Sequence, residues 1–167
     1  MEIFVSMGNE ASARDLLATM RANGVDRDIR SYMPLLRYYA TQKTIAPLDK
    51  LLQELADDGV QLDMAALILA LRGYYNSYNT PGVRRLILLF ENLKLAPRSV
   101  YDYNLLLRGY GMISNIVGFD DLLMDMRRHH VEANEETYVS MAHAYSRSHY
   151  VTKIDNLLNV LRQKGPC

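Results

Sequence analysis

Apolar positions along this chain recur with the 3.6-residue rhythm of amphipathic helices, in bursts separated by polar turns. The stretch 63–98 shows the unit. Met64, Leu67, Ile68, Leu71, Tyr74 and Tyr75 fall at helical spacing, and Asn76–Thr80 is polar and turn-like. Thr80-Pro81 reads as an N-cap followed by proline at the first helical position, where a missing N–H costs little. Val83, Leu86, Ile87, Phe90 and Leu93 mark a second amphipathic helix, and Lys94–Ser99, with Pro97, closes it. The unit is helix A, short turn, helix B, short loop.

That unit is copied along the chain. Ile29–Tyr39 pairs with Pro47–Asp57, Val100–Met112 with Val117–Arg128, and Glu135–Ser146 with Thr152–Gln163. Asp28, Asp63, Ser99 and Asn134 are the predicted caps of the A helices. Pro34 would break a backbone bond in a helix starting after Asp28, which favours a later start with Ser31 as cap. Tyr39, Tyr74, Tyr110 and Tyr145 form one column with a period of 35 or 36 residues, and Leu16, Leu51, Leu86, Leu122 and Leu157 form a second. Gly24, Gly59 and Gly165 form a third. A fixed period of this size means one supersecondary unit stacked on itself. One extra residue falls near Lys94–Tyr101. The register gives a partial repeat at 1–27 and repeats at 28–62, 63–98, 99–133 and 134–167, all in one solenoid domain. Phe4 shares the tyrosine column, so Met1–Ser6 reads as the tail of a helix A, and the last copy stops at Gly165-Pro166-Cys167. Neither end shows a polar capping helix, so a segment of a longer array, or one seated between partners, is expected.

Composition narrows the function classes. Net charge is zero, so any nucleic-acid contact must come from a local patch. The one cysteine, Cys167, excludes a disulfide framework. No apolar run is long enough to span a bilayer. There is no His-Glu-x-x-His, paired Cys-x-x-Cys or glycine-rich phosphate loop, and His129, His130, His143 and His149 lack ligand spacing. A non-enzyme with no cofactor, metal or small-molecule substrate is expected.

Tyr103-Asn104-Leu105-Leu106-Leu107-Arg108-Gly109-Tyr110 resembles the "TYN-xLI-xGY" helix A of pentatricopeptide repeats. Leu122-Leu123-Met124-Asp125-Met126 followed by His130-Val131 resembles the helix B of that family, and Glu136-Thr137-Tyr138 and Leu86–Phe90 echo the same signatures. The tetratricopeptide pattern, with its tryptophan, is not followed. The resemblance implies an all-α, right-handed α-solenoid of stacked antiparallel helix pairs, of a degenerate organellar type. It implies single-stranded RNA on the concave helix A face, read at one base per repeat. The reading positions are then Met33, Ile68, Asn104 and Val139, with Asp63, Ser99 (or Arg98) and Asn134 as partners. Only Asn104/Asn134 matches a recognised pair, one favouring a pyrimidine. The others lack a hydrogen-bonding group for a base edge.

Four residues after each reading position stand Arg37, Arg72, Arg108 and His143, on the same helix face by their spacing. Arginine can clamp phosphate or stack on a base, so this ladder is the expected RNA contact, with pairing inside the solenoid as the alternative. Tyr101 lies where the family sandwiches bases, while Arg30, Ala65 and Glu136 at the equivalent positions do not form a consistent set. The column tyrosines and most of the nine methionines read as core. Arg127-Arg128-His129-His130 ends a helix B, where cations complement the helix dipole. Arg84-Arg85 opens one, where the dipole does not favour them.

The expectation is a non-catalytic RNA-binding or ribonucleoprotein-scaffold module, mitochondrial or plastid, in a mitochondrial ribosome or an RNA-processing complex. Its partners would be single-stranded or ribosomal RNA and neighbouring subunits at the uncapped ends, with no membrane. The alternative is a protein-interaction solenoid whose groove binds a partner helix without touching RNA.

Overall fold

The computed structural model describes residues 8–42 and 44–164. Phe4 and the rest of Met1–Ser6, and Gly165-Pro166-Cys167, lie outside them. The described elements are helices: α1 (Gly8–Ala22), α2 (Ile29–Tyr39), α3 (Ala46–Asp57), α4 (Met64–Asn76), α5 (Thr80–Leu93), α6 (Val100–Met112), α7 (Ile116–Arg128), α8 (Glu135–Arg147) and α9 (Val151–Lys164). The A helices are α2, α4, α6 and α8, and the others are B helices. The chain divides into two compact units, Met1–Gly82 and Val83–Cys167, with the division inside α5.

In the first unit α2 packs on α1, on its own partner α3 and on α4, the next helix A. Tyr32, Leu35, Leu36 and Tyr39 of α2 meet a core that includes Leu48, Leu51 and Leu55 of α3 and Leu67, Leu71 and Tyr74 of α4. In the second unit α6 packs on α7 and α8, and α8 on α9. Tyr103, Leu106 and Leu107 of α6 share that core with Phe119 and Met126 of α7, and the Phe119 ring meets Tyr145 edge-on at 5.6 Å. Each fully buried large side chain contributes about 1.5–3 kcal/mol relative to an exposed one.

The helix ends repeat as faithfully as the cores. Asp28, Asp63, Ser99 and Asn134 each accept the N–H three residues on, as their sequence positions predict. Gly24 and Gly59 hold left-handed backbone, φ +63° and +69°, just past a helix B. The same column continues through Lys94 and His130 at φ 49° and 55°. A Cβ at Gly24 or Gly59 would meet nothing within 4 Å, so the column asks for a backbone conformation and not for space. The extra residue sits between Lys94 and Ser99. Cap and left-handed residue are one position further apart there than in Gly24–Asp28, Gly59–Asp63 and His130–Asn134.

Helices α4, α6 and α8 turn into their helix B through the column tyrosine. The carbonyls of Tyr74, Tyr110 and Tyr145 accept from Asn79, Asn115 and Tyr150 N–H, closing the turn over left-handed Tyr78, Ser114 and His149. Asn79 and Asn115 then accept from the amides of Gly82 and Gly118. At both glycines a Cβ would fall within 3.0 Å of the Tyr74 or Tyr110 ring, so the tyrosine lies flat on the start of helix B.

Three sequence expectations are corrected. The α5 cap is Asn79, not Thr80, because the Asn79 side chain reaches the Gly82 amide. α2 starts at Ile29 with Asp28 as cap, not after Ser31. Pro34 is exposed and forfeits only one intrahelical bond, to the carbonyl of exposed Arg30, which water can satisfy. Leu16 is 58% exposed, whereas Leu51, Leu86, Leu122 and Leu157 are buried, and Leu17 takes the inward position on α1.

Candidate functional site

The predicted ladder lies on the A helices, and the structure splits it into two kinds of residue. Arg37 on α2 and Arg72 on α4 are exposed. Neither guanidinium forms an ion pair or hydrogen bond among the described residues. These two helices pack against each other within the first unit, so the two cations stand at equivalent positions on neighbouring helices. In the second unit Arg108 is only part-exposed and donates to Glu136 of α8 at 3.2 Å. Intramolecular pairing therefore holds for Arg108. His143 is exposed on α8, and Tyr101, 47% exposed, stands in the first turn of α6.

The reading positions differ from the expectation. Of the four, only Val139 is exposed, whereas Met33 is half-buried and Ile68 buried. Asn104 and Asn134 do come together, but they face each other. The Asn104 amide nitrogen donates to Asn134 Oδ1 at 2.9 Å and to Glu136 Oε2 at 3.3 Å, while its carbonyl accepts from Thr137 Oγ1 at 2.6 Å. Asn134 Oδ1 is also the cap of α8, taking the Thr137 amide at 3.1 Å. Asn104 is 2% exposed, with both ends of its amide engaged. The pair thus locks α6 to α8, and exposing it to a base would strip a satisfied buried network. Glu136 enters the sequence reading only as an equivalent of Tyr101, and its pairing with Arg108 is what that reading missed. It stands out only once its spacing from Arg108 is set against the contact between α6 and α8.

The column tyrosines are buried, as expected of core, and their hydroxyls reach carboxylates across helices. Tyr39 donates to Glu10 at 2.6 Å, Tyr110 to Glu91 at 2.9 Å and Tyr145 to Asp120 at 2.7 Å, and Tyr74 donates to Asp49. Tyr32 does the same to Asp58, and Tyr103 to Asp125 at 2.8 Å. Burial first, and these bonds second, push the Tyr32 phenol up to about 12 and those of Tyr103, Tyr110 and Tyr145 well above the ordinary range. Arg127 and Arg128 occupy the last turn of α7, where the dipole favours cations. A cavity of about 750 Å³ between α7, α8 and α9 sets Arg127, His130 and Lys153 against Asp120 and Glu132. Asp120 already takes Lys153 and the Tyr145 hydroxyl, so this cavity is close to neutral. Among the described residues no group of three His, Cys, Asp or Glu is placed to hold a metal, and no helix is long and apolar enough to cross a membrane.

No protein-family profile and no curated protein sequence matches the chain. Solved structures do. The chain superposes on the PPR domain of Arabidopsis thaliana protein-only RNase P 1, solved in complex with tRNA, with a TM-score of 0.66 and 16% identity, covering 94% of this chain and 82% of that one. Against the pentatricopeptide repeat protein PPR10 from maize the TM-score is 0.58 at 17% identity, over 93% of this chain. Against PPR10 in complex with an 18-nt psaJ RNA element it is 0.55 at 14% identity, over 91% of this chain. The chain spans 22% of the length of PPR10. The fold is therefore that of pentatricopeptide repeats, an all-α repeat solenoid.

Proposed function

We propose that this chain, with its pentatricopeptide-repeat fold, is a non-catalytic module that binds single-stranded RNA through the exposed face of its A helices. The observation that carries this reading is the pair Arg37 and Arg72, two exposed guanidinium groups with no partner among the described residues, at equivalent positions on packed helices α2 and α4. Unpaired, exposed guanidinium groups are free to clamp phosphate without first breaking a bond. The RNA bound in the protein-only RNase P 1 and PPR10 structures supports the ligand class. Tyr101 and His143 are the contacts proposed in the second unit, with Arg108 joining them when phosphate displaces Glu136.

The contact is sequence-tolerant. Met33, Ile68 and Val139 offer no polar group to a base edge, and Asn104 is committed to α8. Zero net charge gives no long-range pull on RNA, which suits a subunit held in a larger ribonucleoprotein better than a free-standing factor. The organellar setting, mitochondrial or plastid, follows from the family resemblance, and cell fractionation tests it directly.

The binding test is fluorescence anisotropy of a labelled single-stranded RNA against the chain and its Arg37→Ala/Arg72→Ala variant. Both positions are exposed, so helicity should be unchanged while affinity falls about tenfold or more. Equal affinity of the two proteins would remove RNA from this face and leave a protein ligand as the function.

A further inference from the structure

The Glu136 carboxylate of α8 takes two donors of α6 at once. Its Oε1 accepts from the Arg108 guanidinium at 3.2 Å, and its Oε2 accepts from the Asn104 amide at 3.3 Å. Both donors are residues that the sequence marks as RNA contacts. To a guanidinium, a carboxylate and a phosphate are alike, since each offers oxyanion acceptors to the planar fork. Glu136 therefore stands where an RNA phosphate would stand. The pair lies at the surface, with 33% of the Arg108 side chain and 52% of the Glu136 side chain exposed. An ion pair so exposed is weak and open to exchange for another anion.

The first unit shows the same position without the acid. In register, Ala65 of α4 takes the place of Glu136, and Arg37 of α2 takes the place of Arg108. α2 packs on α4 as α6 packs on α8. Ala65 is exposed and its methyl group offers no acceptor. Neither α2 nor α4 contains an acidic residue along its length, whereas α8 opens with Glu135 and Glu136. Resting on the RNA reading above, we propose that Glu136 is a built-in competitor of RNA phosphate. The second residue of a helix A, Ala65 or Glu136, then sets how readily the arginine of the preceding helix A engages RNA. The first unit binds phosphate without displacing a carboxylate, and the second exchanges one anion for another.

The test is anisotropy of a labelled single-stranded RNA over a salt series, with the full chain and its variants. Glu136→Gln keeps the shape of the side chain and removes its charge. It should bind about three- to tenfold tighter and steepen log K against log salt by about 0.7, the value of one phosphate contact. Glu135→Gln removes the same charge one residue away and should leave the slope unchanged. Ala65→Glu, at an exposed first-turn position where an acid suits the helix dipole, should do the reverse of Glu136→Gln. Binding should weaken about three- to tenfold, with a slope shallower by about 0.7. An equal gain of affinity and slope in Glu135→Gln would overturn the inference, by reducing it to net charge. Unchanged binding in Glu136→Gln and Ala65→Glu would overturn it too, while a weakened Arg37→Ala/Arg72→Ala variant would leave the RNA reading standing. If that double variant binds as the wild type does, the RNA reading falls and this inference falls with it.

Discussion

Lys94 and His130 hold the left-handed backbone that Gly24 and Gly59 hold in other repeats. A residue with a Cβ in that conformation costs about 1 kcal/mol more than glycine. Lys94→Gly should therefore stabilise the fold by about 1 kcal/mol, raising Tm by about 2–4 °C, measurable by thermal circular dichroism. An unchanged or lower Tm would mean that the lysine side chain makes a compensating contact. The converse holds at Gly82 and Gly118, which lie under the Tyr74 and Tyr110 rings. Gly118→Ala should destabilise by about 1–3 kcal/mol through overpacking, read from a urea midpoint. The glycine column was visible in the sequence through its three glycines. Its continuation through Lys94 and His130 was not, because the backbone conformation is kept while the residue type is not. The two inter-helix glycines were equally silent, since nothing in a sequence says which ring will lie on them.

At the scale of helices, periodicity made the pattern legible. Amphipathic spacing and four capping residues placed the A helices, because local hydrogen bonding and burial act there together. What escaped were bonds between helices, such as Asp49 or Asp120 on one helix B with the tyrosine of the next helix A. These links have a pH signature. The Tyr32 phenol is raised from 10.0 to about 12 when folded, so the folded state keeps a proton that the unfolded chain releases near 10. Its contribution is complete below pH 10 and is lost as pH rises from there through about 12. Tm should be level from pH 7 to 9 and fall steeply above 10. The fall should be shallower in Tyr32→Phe, and a parallel fall in both would refute the assignment. The Asn104 network gives a second test. Asn104→Ala removes the shorter acceptor of the buried Thr137 hydroxyl, leaves it the 3.1 Å bond to Asn134 Oδ1, takes away the Asn104 amide that donates to Asn134, and should cost about 1–3 kcal/mol by chemical denaturation. Its effect on RNA affinity should be slight. A large loss of affinity with intact stability would restore Asn104 as a base reader.

For the whole molecule, repetition carried the fold from sequence to structure, because every copy repeats the same core and caps. The candidate site was less legible. The spacing of Arg37, Arg72 and Arg108 was plain, but whether each cation is free depends on what the neighbouring helix presents. Glu136 neutralises Arg108, while Arg37 and Arg72 have no such partner among the described residues. A column of like residues is thus one feature in sequence and two in space. The central claim is that the free pair engages phosphate, and counterion release measures it directly. Affinity for single-stranded RNA should fall with salt, and Arg37→Ala/Arg72→Ala should reduce the steepness of log K against log salt by about 1.4, at about 0.7 per phosphate contact. A variant with lower affinity but an unchanged slope, or a wild-type chain whose binding ignores salt, would contradict the account.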